Sequence, residues 1–338
     1  MSKLENKRNF ALFKHYRQVY VGFSNGIDSS HRNLTEESLT VRIAPDKEFV
    51  AVGECNGIIQ FFPLPHMTSK LRPFELRDES EKLPCTDMEF VPRQSDKRRV
   101  LAACKLNCSQ LRSLDASGFV RLWQYGPGGV KITLSKVWQE PEYRVNPSEN
   151  KERKLNQILC IRASHDGKRF VTGGSDTVIR VYEINSSTAG KMLIPSIRTD
   201  SSMIYNFHTN RITAILYHPR GVKDPAFGHT FVSASWDGTI QGWDDRTCGS
   251  LWQHVGTMVS GADGLCIDPL RNLVISGCYK HDKVLAQVWE ARPAVATDTK
   301  KPLSDMGKPL SQVAQEVGSP PTQVCRLTIS VNPSVLLA

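Results

Sequence analysis

Short apolar runs and tight polar turns alternate along most of the chain, and the same order of runs and turns recurs. The clearest example spans residues 211–244, where RITAILYHP is followed by HTFVSASWDGTIQGWD. Such runs, rich in β-branched and aromatic side chains and separated by turns such as PDK, HDGK and WDGT, are typical of β-strands. No long window repeats its apolar residues with the period of a helix. The pattern predicts an all-β fold built from repeated sheets.

Five units share this pattern, and the third run of each unit ends in an aromatic residue. These closing aromatic residues are Phe62, Trp123, Tyr182, Trp243 and Trp289. They lie 46 to 61 residues apart, whereas a four-stranded repeat unit needs only ~40–45 residues. We assign the surplus to loops at 64–81, 126–154 and 185–205, which are rich in Pro, Ser, Asn and charge. A fourth strand per unit is also predicted, at KITLSKVW and SLWQHVG.

Composition excludes several classes of protein. The 338 residues are 40% hydrophobic and 23% charged, as in a folded globular protein. No apolar stretch approaches the ~18 residues of a membrane helix, and the polar start MSKLENKRNF lacks the apolar core of a signal peptide. The odd number of nine cysteines favours reduced thiols over a disulfide framework. We therefore expect an intracellular protein, cytoplasmic or nuclear, without a membrane partner.

The net charge of +9 leaves a nucleic-acid partner open. Forty-three Lys and Arg residues face 34 Asp and Glu residues, an excess that attracts acidic surfaces. The tightest basic runs are KRR at 97–99 and KERK at 151–154, so the charge is spread along the chain rather than concentrated with aromatic residues between. Solvated loops are the preferred interpretation, and a basic subunit of a ribonucleoprotein or other nucleic-acid complex is the alternative.

At WDGTIQGWDDR the chain resembles the WD-repeat family, whose members form β-propellers. The resemblance implies a histidine before the first strand of a unit, a Ser or Thr in the second, an Asp in the tight turn and a Trp closing the third. The fourth unit matches with His208, either Ser233 or Ser235, Asp237 and Trp243. An imidazole can link the carboxylate to a hydroxyl, and the hydroxyl can accept the indole N–H, so each buried polar group is satisfied.

The other units keep only parts of this signature. Their matching residues are Phe62, Ser117, Trp123, Asp176, Tyr182 and Trp289. In the third unit the position aligned with the histidine holds Lys154. The repetition across five units, rather than any one match, carries the assignment to this family. The implied fold is an all-β WD-repeat propeller with six or seven blade positions, the last of them incomplete.

Four regions follow from this reading. Residues 1–37 form an N-terminal segment with a candidate closing strand, and 38–290 form the propeller blades. Residues 291–321 are predicted to be a flexible polar loop, and 322–338 part of a final blade. A chain with an unfinished blade raises a further alternative, a truncated isoform with little function of its own.

Two constellations suggest chemistry, and each has a plainer explanation. His208, Asp237 and Ser235 have the residue types of a hydrolase triad, but in this context they match the structural signature, with no oxyanion hole or cleft attached. Cys104 and Cys108 form a C-x3-C pair, but no second Cys or His pair has suitable spacing for zinc. We expect no catalytic residue, metal, cofactor or small-molecule substrate.

Binding of other proteins is the favoured function. In the family, partners dock on the face lined by the loops before the first strand and between the second and third strands. The residue before the turn Asp points into that rim, which here means Trp236, Ser175 and Cys55. An exposed indole often contributes much of an interface's binding energy, and the alternative is that Trp236 folds over the neighbouring blade. Arg211 is the candidate contact for an acidic partner.

Overall fold

The computed structural model of the chain describes residues 38–64, 70–78, 83–92, 98–104, 118–140, 156–186, 190–193, 207–256, 258–278, 284–291 and 309–314. Within these ranges, twenty strands form five antiparallel sheets of four strands each. In every sheet the strands follow one another in chain order, each hydrogen-bonded to the next. This confirms the predicted all-β fold of repeated sheets.

The strand bounds define the five sheets. Sheet 1 contains β1 (Ser38–Ile43), β2 (Phe49–Glu54), β3 (Ile59–Pro63) and β4 (Phe74–Leu76). Sheet 2 contains β5 (Cys85–Val91), β6 (Arg98–Cys104), β7 (Phe119–Tyr125) and β8 (Thr133–Gln139). Sheet 3 contains β9 (Ile158–Ala163), β10 (Arg169–Gly174), β11 (Arg180–Glu183) and β12 (Lys191–Met192). Sheet 4 contains β13 (Ile212–Tyr217), β14 (Thr230–Ser235), β15 (Thr239–Asp244) and β16 (Trp252–Val255). Sheet 5 contains β17 (Leu265–Asp268), β18 (Leu273–Gly277), β19 (Val284–Glu290) and β20 (Ser311–Ala314).

Helix in the described residues is limited to single turns of 3-10 helix. They span Pro127–Gly129, Pro219–Val222, Pro225–Phe227 and Ala262–Gly264. No helix within the described part of the chain is long and apolar enough to cross a membrane.

Several segments predicted as loops contain the fourth strands of their sheets. β4 lies inside the predicted loop 64–81, β12 inside 185–205, and β20 inside the segment 291–321 that was predicted to be flexible. Their sequences are FEL, KM and SQVA. Such short strands at the outer edge of a sheet carry too few alternating apolar positions to be recognised from the sequence. The predicted segments 1–37 and 322–338 lie outside the described residues.

Apolar clusters fill the four spaces between consecutive sheets. Phe49, Phe61 and Met88 are buried between sheets 1 and 2, and Ile161 and Phe170 lie between sheets 2 and 3. Two further clusters join sheets 3 and 4 and sheets 4 and 5. The sheets therefore pack face to face in chain order.

The closing aromatic residues show the direction of this packing. Trp123, Tyr182, Trp243 and Trp289 each lie in the cluster that their sheet shares with the preceding sheet. Phe62 stands at the same place in sheet 1, which has no described sheet before it. It is only half-buried, beside a β1 face on which Val41 and Ile43 are 41% and 48% exposed. The closing residue is thus buried wherever a preceding sheet is present.

A cluster of charged side chains joins the first strands of sheets 1, 2 and 3 to the turn before β17. Asp87 on β5 accepts from Arg42 on β1 at 2.8 Å and from Arg162 on β9 at 2.7 Å. Arg42 also reaches Asp263, in the turn before β17, at 3.0 Å. Burial raises the pKa of nearby Glu89 above its ordinary value, against the opposing charges of Arg162 and Arg42. Because Arg42 contacts a residue at the entrance of sheet 5, the array of sheets must curve so that their first strands face a common centre.

Candidate functional site

Four side chains of sheet 4 form one continuous hydrogen-bonded chain. His208 Nδ1 lies 2.9 Å from the Asp237 Oδ2 atom, and its Nε2 lies 2.6 Å from the Ser233 Oγ atom. The Trp243 indole N–H donates to the same Ser233 oxygen at 2.7 Å. With its proton on Nδ1, the imidazole donates to the carboxylate and accepts from the hydroxyl, so every polar atom in the chain has a partner.

Ser233, not Ser235, occupies the central position of this chain. Ser233 has no exposed surface and touches both His208 and Trp243. Ser235 instead donates to the Asn210 carbonyl at 2.9 Å and accepts from the Asp237 amide at 3.1 Å. The sequence left both serines open because residues two apart on a strand point to the same face of the sheet.

Asp237 ties the entering loop of sheet 4 to the turn between β14 and β15. Its carboxylate accepts from the Thr239 amide at 2.8 Å and from the Thr209 amide at 3.0 Å. Burial alone would raise the pKa of Asp237, but the hydrogen bonds from His208, Thr239 and Thr209 outweigh it and hold the pKa below its ordinary value of 3.8. Because the pKa of Asp237 is lower in the folded state, its ionised carboxylate stabilises the fold. This stabilisation is complete above the ordinary pKa of 3.8 and is lost as the pH falls through the lower folded-state pKa.

Sheet 3 satisfies the same positions with different residues. Thr172 on β10 takes the place of Ser233, and its hydroxyl donates to the Glu140 carboxylate, which also accepts from Asn156. Glu140 pairs with Arg180 at 3.2 Å, and Arg180 reaches Asp176 at 2.5 Å. Burial raises the pKa of Glu140, against the charge of Arg180. A carboxylate following the last strand of sheet 2 thus replaces the histidine of the sheet 4 network.

The sequence did not reveal this second network. Alignment placed Lys154 at the histidine position, and Lys154 lies outside the described residues. Glu140 is 32 residues before Thr172 in the chain and lies inside the predicted loop 126–154. The available signal was Arg180, a charged residue in the middle of the apolar run TVIRVY, since an interior arginine requires a carboxylate partner.

Turns between second and third strands share one geometry in three sheets. The side-chain oxygens of Asn56, Asp176 and Asp237 each accept from the amide two residues ahead, at 2.9, 3.2 and 2.8 Å. Such a bond fixes a turn locally. Because these turns lie at the same end of their sheets, they form one rim with preset backbone shape.

Trp236 and Arg211 lie together on this rim. The Arg211 guanidinium carbon is 4.5 Å from the centre of the Trp236 ring, within the range of a cation–π interaction. The Trp236 amide donates to the Arg211 carbonyl at 3.1 Å, which binds the turn to the start of β13. Arg211 is exposed, Trp236 is half-buried, and Phe207 at the same end of the sheet is 37% exposed. The structure thus places an aromatic and cationic group at the rim of sheet 4.

The other rim candidates are less available to a partner. The Ser175 hydroxyl accepts from the Gln157 amide at 2.8 Å, so it serves the turn itself. Cys55 is half-buried between Glu54 and Asn56, whose side chains are joined at 3.1 Å. Ser117, the signature residue assigned to the second unit, lies outside the described residues.

One group of residues has ligand atoms close enough together for a metal ion. It consists of His229, Asp244 and Asp245 in the part of the chain that the structure describes. The Arg169 guanidinium lies 2.8 Å from Asp245 and also contacts His229. Arg246 pairs with Asp244 at 2.6 Å. Two guanidinium groups therefore supply the positive charge that a metal would bring, and the group is an ion-pair cluster.

Comparison with known proteins agrees with this geometry. The family model described as "WD domain, G-beta repeat" matches residues 152–183 and 200–244. These ranges contain the Asp176 turn and the whole sheet 4 network. Two of the five units therefore match the repeat by sequence alone.

Curated relatives match over short stretches. The LEC14B homolog of Prunus armeniaca is 26% identical over 106 residues, 30% of this chain and 22% of that protein. Mitochondrial division protein 1 of Saccharomyces cerevisiae (strain YJM789) is 31% identical over 100 residues, 28% of this chain and 13% of that protein. Periodic tryptophan protein 2 of Arabidopsis thaliana is 23% identical over 141 residues, 42% of this chain and 13% of that protein. The matched part of the chain thus spans about an eighth to a fifth of the length of these relatives.

Among solved structures, a chain in the crystal structure of a mitotic checkpoint complex is similar. The TM-score is 0.52 at 14% identity, covering 77% of this chain and 65% of that chain. This likeness bears on the fold, and with the curved array of four-stranded sheets it defines a β-propeller. The matched repeats and the relatives support the resemblance to WD-repeat proteins that the sequence predicted.

Replacement of either serine in sheet 4 distinguishes their roles. Ser233→Ala leaves the His208 ring and the Trp243 N–H without their shared partner in a fully buried site, and should lower the free energy of unfolding by about 2–3 kcal/mol. Ser235→Ala removes the bonds to the Asn210 carbonyl and the Asp237 amide but leaves the His208–Trp243 network intact, and should cost about 1 kcal/mol. Urea denaturation of both variants beside the parent chain measures the difference. Equal losses would contradict the assignment of Ser233 to the network.

The ion pair of sheet 3 should behave as a buried pair. Arg180→Met leaves the Glu140 carboxylate buried without its cation and should cost about 3–5 kcal/mol of unfolding free energy. Adding Glu140→Met to the same chain should recover part of that loss, since the uncompensated charge is then removed. A denaturation series on the two single variants and the double variant gives the coupling energy. Additive losses would show that the two residues act independently.

Proposed function

We propose that the chain is a non-enzymatic scaffold that docks protein partners on the rim formed by the turns between second and third strands. The observation that carries this proposal is the Arg211–Trp236 pair, held on a turn that Asp237 fixes to the scaffold. Tryptophan and arginine are the residues that most often dominate the binding energy of protein interfaces. WD-repeat propellers generally bind other proteins, which agrees with this role.

A fixed turn favours binding because little conformational entropy is lost when a partner arrives. The Trp236 amide and the Asp237 side chain are both held by the sheet before any contact is made. The exposed Arg211 guanidinium, with Phe207 nearby at the same end, suits a partner with an acidic residue beside an apolar one. Several such turns on one rigid body would hold two partners close together and raise their effective concentration.

The burial of the sheet 4 network supports a non-catalytic role. The Ser233 hydroxyl has no exposed surface, so a substrate could not reach it. His208 and Asp237 are both committed to structural hydrogen bonds. We place the protein inside the cell, in cytoplasm or nucleus, on the strength of its cysteine composition.

The role of the rim is tested by using the purified parent chain and its variants to capture proteins from a cell extract and comparing the proteins that each one retains. Trp236→Ala and Arg211→Glu should each weaken capture of a shared set of proteins by about tenfold or more, because each removes an interface anchor. Quantitative mass spectrometry of the retained proteins measures the loss. Arg211 is exposed, so its replacement leaves folding intact even where the tryptophan variant is less stable.

Val137→Ala is the matched control for these variants. Val137 is 50% exposed on β8 of sheet 2, away from the rim of sheet 4. It should retain the same proteins as the parent chain. If the Arg211 and Trp236 variants also retain them all, the rim is not the docking surface.

A further inference from the structure

Sheet 4 carries an unusual connection at the end opposite to the Trp236 turn. Where sheets 1, 3 and 5 join their first two strands by a tight turn, β13 and β14 are joined by residues 218–229, which contain two consecutive turns of 3-10 helix, Pro219–Val222 and Pro225–Phe227. We call residues 219–228 the insert. The repeat signature does not involve this segment, and neither does the proposed function.

Contacts within the insert and with the neighbouring sheets hold its shape. Phe227 is buried and stacks on the His218 ring, with ring centres 4.4 Å apart. The Asp224 side chain accepts from the Ala226 amide at 3.0 Å and so fixes the second helical turn. A side chain at Gly221 would come within 2.9 Å of the His165 ring and 2.8 Å of the Phe227 carbonyl, so the backbone lies close against the sheets beneath it.

Neighbouring sheets hold the base of the insert on both sides. His165 of sheet 3 contacts the His218 carbonyl through Nε2 at 2.9 Å. The His218 Nε2 atom lies 2.7 Å from the Asn272 side-chain oxygen of sheet 5. An insert that is tied to three sheets presents its outer residues in one fixed arrangement.

Those outer residues combine apolar and basic character. Val222 is 68% exposed at the tip, between the exposed side chains of Arg220 and Lys223. Leu270, in the β17–β18 turn at the same end of the next sheet, is 58% exposed. Two exposed aliphatic side chains on ordered backbone offer apolar area that a partner can cover at little entropic cost.

At the end of the sheets that carries the insert, two ion pairs have an exposed arginine and a buried aspartate. The Arg246 and Arg271 side chains are 61% and 75% exposed, whereas their partners Asp244 and Asp268 are 4% and 8% exposed. Both carboxylates also accept backbone amides of their own turns, at 2.9 and 2.8 Å. These two carboxylates are therefore turned inward while their arginine partners face outward, whereas Asp224 within the insert is half-exposed.

We propose that the insert and the adjoining turn of sheet 5 form a second docking surface, for an acidic peptide segment that carries an aliphatic residue among its carboxylates. Val222 and Leu270 would cover the aliphatic residue, and Arg220, Lys223 and Arg271 would face the carboxylates. The exposed aliphatic side chains favour a peptide over a nucleic acid, because a peptide can cover them with an aliphatic side chain whereas most protein–DNA hydrogen bonds go to phosphate and sugar. The surface lies at the opposite end of the sheets from the Arg211–Trp236 pair, so it stands independently of the proposed function.

Selection from a display library of random short peptides tests this surface. The purified full chain is the bait, and the double variant Val222→Asp/Lys223→Glu is the counter-selection bait. Both residues are exposed, so the variant should fold like the parent, which a thermal melt checks. Peptides that bind the parent but not the variant should be enriched in Asp and Glu around Leu, Ile or Val.

A synthetic copy of an enriched peptide then gives the affinity by fluorescence anisotropy. Its binding should weaken about tenfold or more in the double variant, because charge reversal replaces attraction by repulsion. Binding to the parent chain should also weaken with added salt, because salt screens the attraction between the charges. Arg211→Glu, at the other end of the sheets, should leave it unchanged. A loss in the Arg211 variant would place the peptide on the rim and overturn the proposal.

Two other results would also overturn it. The first is that the library yields no peptide whose binding is lost when Val222 and Lys223 are replaced. The second is that the peptides whose binding is lost contain no acidic residues. Single-stranded and double-stranded DNA oligonucleotides, titrated in the same assay, provide the remaining arm. If the double variant abolishes oligonucleotide binding, and no peptide is found whose binding requires Val222 and Lys223, the surface binds nucleic acid instead.

Discussion

Burial of each sheet's apolar face against the preceding sheet is the interaction on which the rest of the structure depends. Trp123, Tyr182, Trp243 and Trp289 each close the third strand of their sheet and fill the space behind it. Phe62, which has no described sheet behind it, is only half-buried. Face-to-face packing sets the order of the sheets, brings their first strands together around the Asp87 ion cluster, and lines up their turns at two ends.

Polar networks add specificity to this packing, and the chain builds them in two ways. In sheet 4 a histidine links a carboxylate to a serine. In sheet 3 Glu140 and Arg180 connect the corresponding threonine and aspartate through a buried ion pair. Both networks satisfy groups that would otherwise be costly to bury. Both also tie an entering loop to the turn between second and third strands, which gives the rim its fixed shape.

The sequence was most informative where a feature repeats or is local. The closing aromatic residues and the third strands recur at visible intervals, and the sheet 4 signature is recognisable by residue type. The short fourth strands carry few alternating positions, so β4, β12 and β20 were read as loops. Glu140 contacts Thr172 across 32 residues of chain, and the insert depends on His165 and Asn272 from two other sheets. Contacts of this kind follow from the packing of sheets, which no local pattern encodes.

The five sheets are expected to form one rigid body with fixed turns at both ends. Hydrogen–deuterium exchange of the purified full chain tests it most directly. The first and second strands of all five sheets should form a single slow class, and the amides of Thr209, Trp236 and Thr239 should also be protected by their hydrogen bonds. Exchange of sheet 1 or sheet 5 at the rate of an unfolded peptide, with the other sheets protected, would contradict a single rigid body.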